Sequence, residues 1–258
     1  MAIASQAQGK FDIGRVFSST FAVIGRNIGL WIGLAVIFSA IPSLVLQYLI
    51  LAPLTGGIVA EQAVADPSFL WKYYLGAFAG FLVTVVLSSL LSSSLIRATI
   101  EDLSGKHPAL GDCIKTALAV LLPAIGVGIL AGLGIGVGMV LLIVPGIILW
   151  LRWSLAIPVL VQERLGVTGS MARSAQLTAG SRWALFGLYL ILIIASIAIQ
   201  WVVGKIVPGL GTWIGTIVAV LVQSILSMVI STATAVSYVE LRKVKEGTSV
   251  SELAEIFA

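Results

Sequence analysis

One apolar tract limits what this chain can fold into: residues 117–162 contain a single charged side chain, that of Arg152. A helix needs about 20 apolar residues to cross a bilayer, so this tract is too long for one crossing. The Val-Pro-Gly sequence at 144–146 interrupts it, because proline removes a backbone donor and glycine permits a turn. We therefore predict two spans, 117–142 and 146–162, joined by a tight hairpin at the outer edge of the membrane.

The composition extends this conclusion to the whole chain. Of the 258 residues, 59% are hydrophobic and 10% are charged, whereas soluble domains carry about 25% charged residues. The apolar runs do not alternate with polar residues, which favours membrane helices over an outer-membrane β-barrel. We predict one all-α, polytopic membrane domain, residues 1–258, with about six spans at 28–51, 73–98, 117–142, 146–162, 183–204 and 212–239.

Lysine and arginine are distributed unevenly between the two sides of the predicted bundle. Of the 15 such residues, Lys72 and Lys205 lie on one side, Arg152 lies within a span, and all the others lie on the second side. Cytoplasmic loops carry the excess of basic residues in membrane proteins. We therefore predict that both termini are cytoplasmic, with 248–258 as a short tail, and the polar N-terminus predicts no secretory signal peptide.

Three segments of the chain resemble one another, at residues 11–34, 108–130 and 167–190. Each has a glycine near its start, continues in a helical pattern that carries basic residues, and then enters a span. We interpret each as an amphipathic helix in the inner interface followed by a crossing helix. This predicts three interfacial helices and three tandem helix-hairpin units in one orientation, at 11–105, 108–166 and 167–247. The alternative is that similar membrane constraints produce similar sequences.

Charged residues recur where these segments meet the cytoplasmic membrane surface. The basic side chains expected at headgroup depth, where they would favour anionic lipid, are Arg15, Arg26, Lys115, Arg173 and Arg182. An acid follows the second span of each unit: Glu101, Glu163 and Glu240. We favour ion pairs for these acids, Arg97 with Glu101 and Glu163 with a basic residue of an interfacial helix. The alternative is a gate or a ring that binds a ligand.

Hydroxyl side chains form stripes on two of the predicted spans. The second span carries Thr84, Ser88 and Ser92, and the sixth carries Ser224, Ser227, Ser231 and Thr234. Spacings of three and four residues place each set on one helix face. Such stripes can join helices by hydrogen bonds, which we favour, or they can line a wet path through the bundle.

Arg152 is the exception to the apolar character of the spans. An arginine at the bilayer centre costs about 2.5–3.5 kcal/mol on insertion scales. Trp150 and Trp153 flank it, which favours an anchor that reaches the outer headgroups. The alternative is a functional site that faces the bundle, for which Gln223 of the sixth span is the polar partner we would name.

A glycine-rich run at 126–138 has no preceding strand and no acidic residue at the spacing of a dinucleotide-binding loop. The GxxxG spacing of Gly128, Gly132 and Gly136 predicts close helix packing instead.

Candidates for catalysis are scarce. The single histidine, His107, and the single cysteine, Cys113, do not supply the usual zinc spacings. We find no motif of a serine hydrolase, a zinc protease or a P-loop. The sequence therefore predicts no enzyme, no metal, no cofactor and no nucleic-acid partner.

The run LLIVPGIILWLRWSLAIPVLVQERLGVTGSMARSAQLTAGSRWALFGL resembles bacterial proteins grouped with the membrane domain of glycerophosphoryl diester phosphodiesterases. The residues that carry the resemblance are Pro145-Gly146, Pro158, Glu163, Gly166, Arg173-Ser174 and Gly180, together with the N-terminal FDIGRVFSSTFAVIGRN. It covers most of the chain. In full-length members the hydrolase is a separate soluble domain that uses histidines and carboxylates for metal-assisted cleavage, and this chain lacks such a set. The resemblance implies a membrane module of the bacterial inner membrane without phosphodiesterase activity.

Two functions follow as hypotheses. The first is a non-catalytic envelope scaffold that binds lipid or a protein partner. The partner can be a second copy of the chain, in a homo-oligomer. The second is a transporter or channel for a small solute or lipid. A water-accessible cavity bounded by Ser88, Ser92, Ser227, Ser231 and Gln223 would favour the second hypothesis, and a close-packed centre would favour the first.

Overall fold

The computed structural model describes residues 11–48 and 68–247, and these residues form helices joined by turns, without a β-strand. The end of the first predicted span, 49–51, and the predicted tail, 248–258, lie outside the described residues. In chain order the elements are α1 (Ile13–Arg26), α2 (Ile28–Ala35), a π-helical turn (Val36–Ala40), α3 (Ile41–Leu46), α4 (Ser68–Leu103), α5 (Leu110–Leu141), α6 (Ile143–Trp153), α7 (Ala156–Glu163), α8 (Gly166–Thr178), α9 (Arg182–Ile206), a 3-10 turn (Val207–Leu210) and α10 (Thr212–Glu246).

Among the described residues, six helical segments are long and apolar enough to cross a membrane: Ile28–Leu46, Ser68–Leu103, Leu110–Leu141, Ile143–Glu163, Arg182–Leu210 and Trp213–Glu246. The all-α polytopic fold predicted from the sequence is therefore confirmed. Helices α4 and α10 continue several turns beyond their apolar runs. Their final turns carry charged side chains on a rigid extension of the membrane bundle.

Two of the three predicted interfacial helices are separate elements, α1 and α8. Helix α1 begins after Asp12, whose side chain accepts a hydrogen bond from the Arg15 N–H at 3.2 Å. Such a cap satisfies one of the free donors at a helix start. The second predicted interfacial helix is not a separate element, because residues 110–116 form the first turns of α5. No glycine or proline separates them from the span, so the helix continues without a break.

A hairpin forms between α5 and α6, but its turn lies earlier than the sequence predicted. Leu142 adopts the extended conformation that ends α5, with φ −158° and ψ 136°. Pro145 lies in the first turn of α6, where its missing N–H leaves no bond unmade. Gly146 has a packing role, since a Cβ atom there would lie 2.5 Å from Met139 Cγ.

The predicted GxxxG packing face is wrong, because no described residue lies within 4 Å of a Cβ atom added at Gly128, Gly132 or Gly136. The close approaches occur at Gly134, where a Cβ atom would lie 2.6 Å from the Trp153 ring, and at Gly138, where it would lie 3.0 Å from Gly146 Cα. The packed face of α5 is therefore rotated from the one that the spacing suggested.

The fourth span is broken in its middle. Pro158 lacks the N–H that would bond the Ser154 carbonyl, and Leu155 leaves helical geometry with φ −100° and ψ 10°. The hydroxyl of Ser174, on α8, bridges the break. It accepts a hydrogen bond from the Leu155 N–H at 3.2 Å and donates one to the Arg152 carbonyl at 2.8 Å. Helix α8 is thereby fixed to the junction of α6 and α7.

Dense packing is concentrated around the last turns of α4. Leu95, Ala98 and Thr99 of this helix are fully buried. Nearby, the buried Trp31 indole of α2 donates a hydrogen bond to Thr232 Oγ1 of α10 at 3.0 Å. The earlier turns of α4 are largely exposed. The bundle is therefore tight at the end with the charged residues and open along part of its apolar length.

Candidate functional site

Hydroxyl side chains from three spans meet at one cleft, which we call the serine cleft. Its polar lining comes from α3 and the π-helical turn, from α4 and from α10, and consists of Ser39, Ser43, Thr84, Ser88, Ser92, Ser227 and Ser231. Leucine, isoleucine, phenylalanine and proline side chains complete the walls. Its volume is about 260 Å³, and a water molecule occupies about 30 Å³ in the liquid. The cleft therefore has room for a small molecule or several waters.

A local irregularity of the first span shapes the wall of this cleft. Pro42 cannot donate the helical hydrogen bond to the Phe38 carbonyl, and the turn Val36–Ala40 that precedes it is π-helical. Turns of this kind occur frequently at functional sites. Ser39 lies within the turn, and its hydroxyl is 2.9 Å from that of Ser224 on α10. The two hydroxyls join the first and last spans.

A second cleft adjoins the first, and we call it the glutamine cleft. It has a volume of about 380 Å³ and lies between α3, α9 and α10. Its polar lining is Ser43, Gln200 and Gln223, and Ser43 also lines the serine cleft. The two clefts thus share a wall residue and form a polar zone among the apolar spans.

The hydroxyls of the serine cleft differ in their hydrogen bonding. Thr84 and Ser88 donate to carbonyls of their own helix, Gly80 at 2.9 Å and Val85 at 3.1 Å. Ser92, Ser227 and Ser231 have no hydrogen-bond partner within the described part of the chain. Their donors and acceptors are available to a molecule in the cleft, because a hydroxyl can both give and accept hydrogen bonds.

The structure brings together most of the polar residues that the sequence singled out within the membrane. Ser88, Ser92, Ser227 and Ser231 line one cleft, and Gln223 lines its neighbour. The sequence pattern did not predict that Ser39, Ser43 and Gln200 line the clefts. The spacing of Ser39 and Ser43, one helical turn apart, was a signal that could have found them.

Arg152 does not join this site. It lies near the end of α6, its side chain is exposed, and it has no ion pair or side-chain hydrogen bond within the described residues. Helix α6 packs against α5, α8 and α9, whereas Gln223 lies on α10 in the glutamine cleft. The pairing of Arg152 with Gln223 is therefore not formed.

Glu163 lies at the centre of a charged cluster at the other end of the bundle. Its carboxylate accepts hydrogen bonds from Arg173 Nε at 3.1 Å and from the buried Tyr238 hydroxyl at 2.9 Å. Arg173 also pairs with Glu246, which accepts a second bond from Arg242 Nε at 2.9 Å. The cluster joins α7, α8 and α10.

The other predicted acids also have basic partners. Arg15 of α1 contacts Glu240 of α10 at 2.5 Å, and Arg97 contacts Glu101 at 2.6 Å within α4. Asp102, which the sequence did not single out, pairs with Arg26. This hydrogen bond raises the pKa of the Arg26 guanidinium above its ordinary value. Two of these contacts, Arg15–Glu240 and Arg26–Asp102, join different helices, and the three acids do not form an open ring of free carboxylates.

Asn27 strengthens the contact at Asp102, since its amide donates to the same carboxylate at 2.6 Å.

Lys115 is exposed on α5. Of the five predicted interfacial basic residues, Arg15, Arg26 and Arg173 therefore hold acids of other elements. Arg182 lies at the start of α9, beside a separate crevice.

Within the described residues, no three His, Cys, Asp or Glu side chains are grouped so that they could hold a metal ion. Cys113 is buried among apolar side chains. The polar zone of the two clefts offers hydroxyl and amide groups to a ligand.

Comparison of the chain with family models, with curated proteins and with solved structures gave no match. The resemblance to phosphodiesterase membrane domains, and the bacterial inner membrane that it implies, stay predictions. The function proposed below therefore depends on the clefts.

Proposed function

We propose that this protein binds a small uncharged polar solute within the membrane and lets it pass across the bilayer. The observation that carries the proposal is the serine cleft, in which hydroxyls from three spans line a space of about 260 Å³. Four of the five residues named for such a passage, Ser88, Ser92, Ser227 and Ser231, line this cleft, and Gln223 lines the adjoining one, which supports the proposal. We place the protein in a bacterial inner membrane with both termini in the cytoplasm.

The chemistry of the lining supports an uncharged solute. The polar residues of both clefts are serine, threonine and glutamine, and their lining contains no charged side chain. Sites for charged substrates in membranes use ionisable residues or helix ends as partners. Hydroxyl and amide groups instead replace the water that surrounds a neutral solute, because they offer both donors and acceptors. Polyols and urea have this chemistry.

The test is solute flux into liposomes that contain the purified protein. Liposomes shrink in an osmotic step and swell again as a permeant solute enters, which light scattering records. We expect faster swelling with glycerol, urea or erythritol than in protein-free liposomes, and no such gain with choline chloride. If none of the three neutral solutes enters faster than in protein-free liposomes, the proposed passage is refuted.

Adjacent serines of α4 provide a matched pair of variants. Both hydroxyls bond the Val85 carbonyl of their own helix, at 3.1 Å from Ser88 and 2.7 Å from Ser89, but only Ser88 lines the serine cleft. Ser88→Leu should slow swelling towards the rate of empty liposomes because leucine fills the cleft, and Ser89→Leu should leave the rate unchanged. Ser231→Leu, on the opposite wall, should act like Ser88→Leu. Equal effects of both α4 variants would contradict a passage through this cleft.

A second candidate is a non-catalytic scaffold of the envelope, which can bind lipid or a protein partner. The observation that favours it is the charged cluster around Glu163 and the Arg15–Glu240 contact, which fix α1, α7, α8 and α10 at one end of the bundle. A rigid charged end of this kind suits a surface that holds a partner. Wild-type liposomes without any solute flux would favour this candidate.

A further inference from the structure

A crevice separate from both clefts lies between α6 and the first turns of α9. Helix α6 contributes Val144, Ile147, Ile148 and Leu151, and α9 contributes Arg182, Trp183 and Phe186. Its volume is about 350 Å³. Apart from Arg182, every side chain of this set is hydrophobic or aromatic. The crevice shares no lining residue with the serine or glutamine clefts, so it is independent of the proposed passage.

The single charge at this crevice has no acidic partner among the described residues. Arg182 has no ion pair within the described residues, and its Nε is shielded from solvent without a hydrogen-bond partner there. This differs from Arg15, Arg26 and Arg173, each of which contacts an acid. A positive charge beside an apolar crevice is complementary to an amphiphile with a negative head and a hydrocarbon tail.

The start of α9 adds to this complementarity. Ser181, the residue before the helix, makes no side-chain cap to the free N–H groups of the first turn. A helix start carries a partial positive charge and can bind a phosphate. Trp183, next to Arg182, is 85% exposed. Tryptophan side chains exposed in this way are typical of the depth at which lipid headgroups lie.

We propose that the crevice binds one anionic phospholipid of the surrounding bilayer. An acyl chain lies against Ile147, Ile148 and Phe186, and the phosphate contacts the Arg182 guanidinium at the start of α9. The lipid thereby completes the surface between α6 and α9. Phosphatidylglycerol satisfies both requirements, whereas zwitterionic phosphatidylcholine brings a cationic group beside its phosphate.

The test is native mass spectrometry of the full-length protein, released from mixed micelles that contain equal amounts of phosphatidylglycerol and phosphatidylcholine. We expect one retained phosphatidylglycerol per chain. Arg182→Gln should weaken its retention roughly fivefold, the change that corresponds to about 1 kcal/mol for one basic residue near a lipid surface. Ile148→Trp, which fills the crevice while keeping the charge, should also weaken retention.

Lys115→Gln is the matched control, because Lys115 is an exposed basic residue that does not line the crevice. It should retain phosphatidylglycerol like the wild type. Equal losses with Arg182→Gln and Lys115→Gln would overturn the proposal in favour of unspecific surface attraction. Equal retention of the two lipids by the wild type, or retention unaffected by Ile148→Trp, would also overturn it. Should Arg182→Gln not fold, the Ile148→Trp and lipid-competition results decide the question.

Discussion

Replacing Glu163 with alanine is expected to lower the free energy of unfolding by about 2 kcal/mol, measured by denaturant titration in mixed micelles. The change removes the acceptor of two hydrogen bonds, one from Arg173 Nε and one from the Tyr238 hydroxyl. Tyr238 is 1% exposed, so its hydroxyl would remain buried without an acceptor. Removing one member of a fully buried ion pair costs about 3–5 kcal/mol, and the partial exposure of Glu163 and Arg173 reduces this loss.

Glu101→Ala is the matched control for this result. Glu101 has a similar exposure, 13% against 16% for Glu163, but its partner Arg97 lies one turn away on the same helix. Pairs within one helix contribute about 0.2–0.5 kcal/mol. We therefore expect a loss of that size for Glu101→Ala. Equal losses for the two variants would show that Glu163 does not join α7, α8 and α10 energetically.

Replacing Ser174 with alanine is expected to lower the free energy of unfolding by about 2 kcal/mol as well. Its hydroxyl bonds the Leu155 N–H and the Arg152 carbonyl, at the point where the fourth span is broken. Without the hydroxyl, both backbone groups lose their partner. An unsatisfied buried polar group costs about 1–3 kcal/mol, and water is scarce at this position to replace it. The same titration measures the effect.

Ser170→Ala is the control for Ser174→Ala. Both serines lie on α8 and are fully buried, but the Ser170 hydroxyl has no hydrogen-bond partner within the described residues. Its removal should leave the free energy of unfolding unchanged or raise it slightly, because a buried donor without a partner is itself unfavourable. A larger loss for Ser170→Ala than for Ser174→Ala would contradict the bridging role of Ser174.

The number of spans could be predicted because hydrophobicity over about 20 residues determines which segments enter a bilayer. The break at Leu155 has a local cause, because Pro158 follows closely in the sequence. The bridge across the break is not local, because Ser174 is 19 residues away from Leu155. The turn at Leu142 was missed for a related reason. Pro145 and Gly146 are compatible with a turn, but also with a first helical turn and a close helix contact.

The candidate site was predictable in part. Helical spacing places Ser88 and Ser92 on one face, and Ser227 and Ser231 on another. Spacing does not say which faces meet, and the contribution of Ser39 and Ser43 depends on how the first span packs between α4 and α10. The same limit explains Gly132 and Gly134. They differ by two positions, yet an added Cβ atom would contact Trp153 at Gly134 and no described residue at Gly132.

If the serine cleft is open to water and solute, a cysteine placed in it reacts with a water-soluble thiol reagent. In a Cys113→Ala background, Ser227→Cys lies in the cleft, whereas Ser196→Cys on α9 lies outside both clefts. The native Ser196 hydroxyl bonds the Leu192 carbonyl of its own helix at 2.7 Å. A charged, water-soluble thiol reagent reacts with the thiolate, which requires an aqueous environment.

With the protein in lipid nanodiscs, where the reagent reaches both faces, we predict rapid modification at position 227 and slow modification at position 196. Glycerol or urea in excess should slow the reaction at position 227 if they occupy the cleft. Modification at position 227 as slow as at position 196 would contradict an open cleft, and with it the proposed passage of a polar solute.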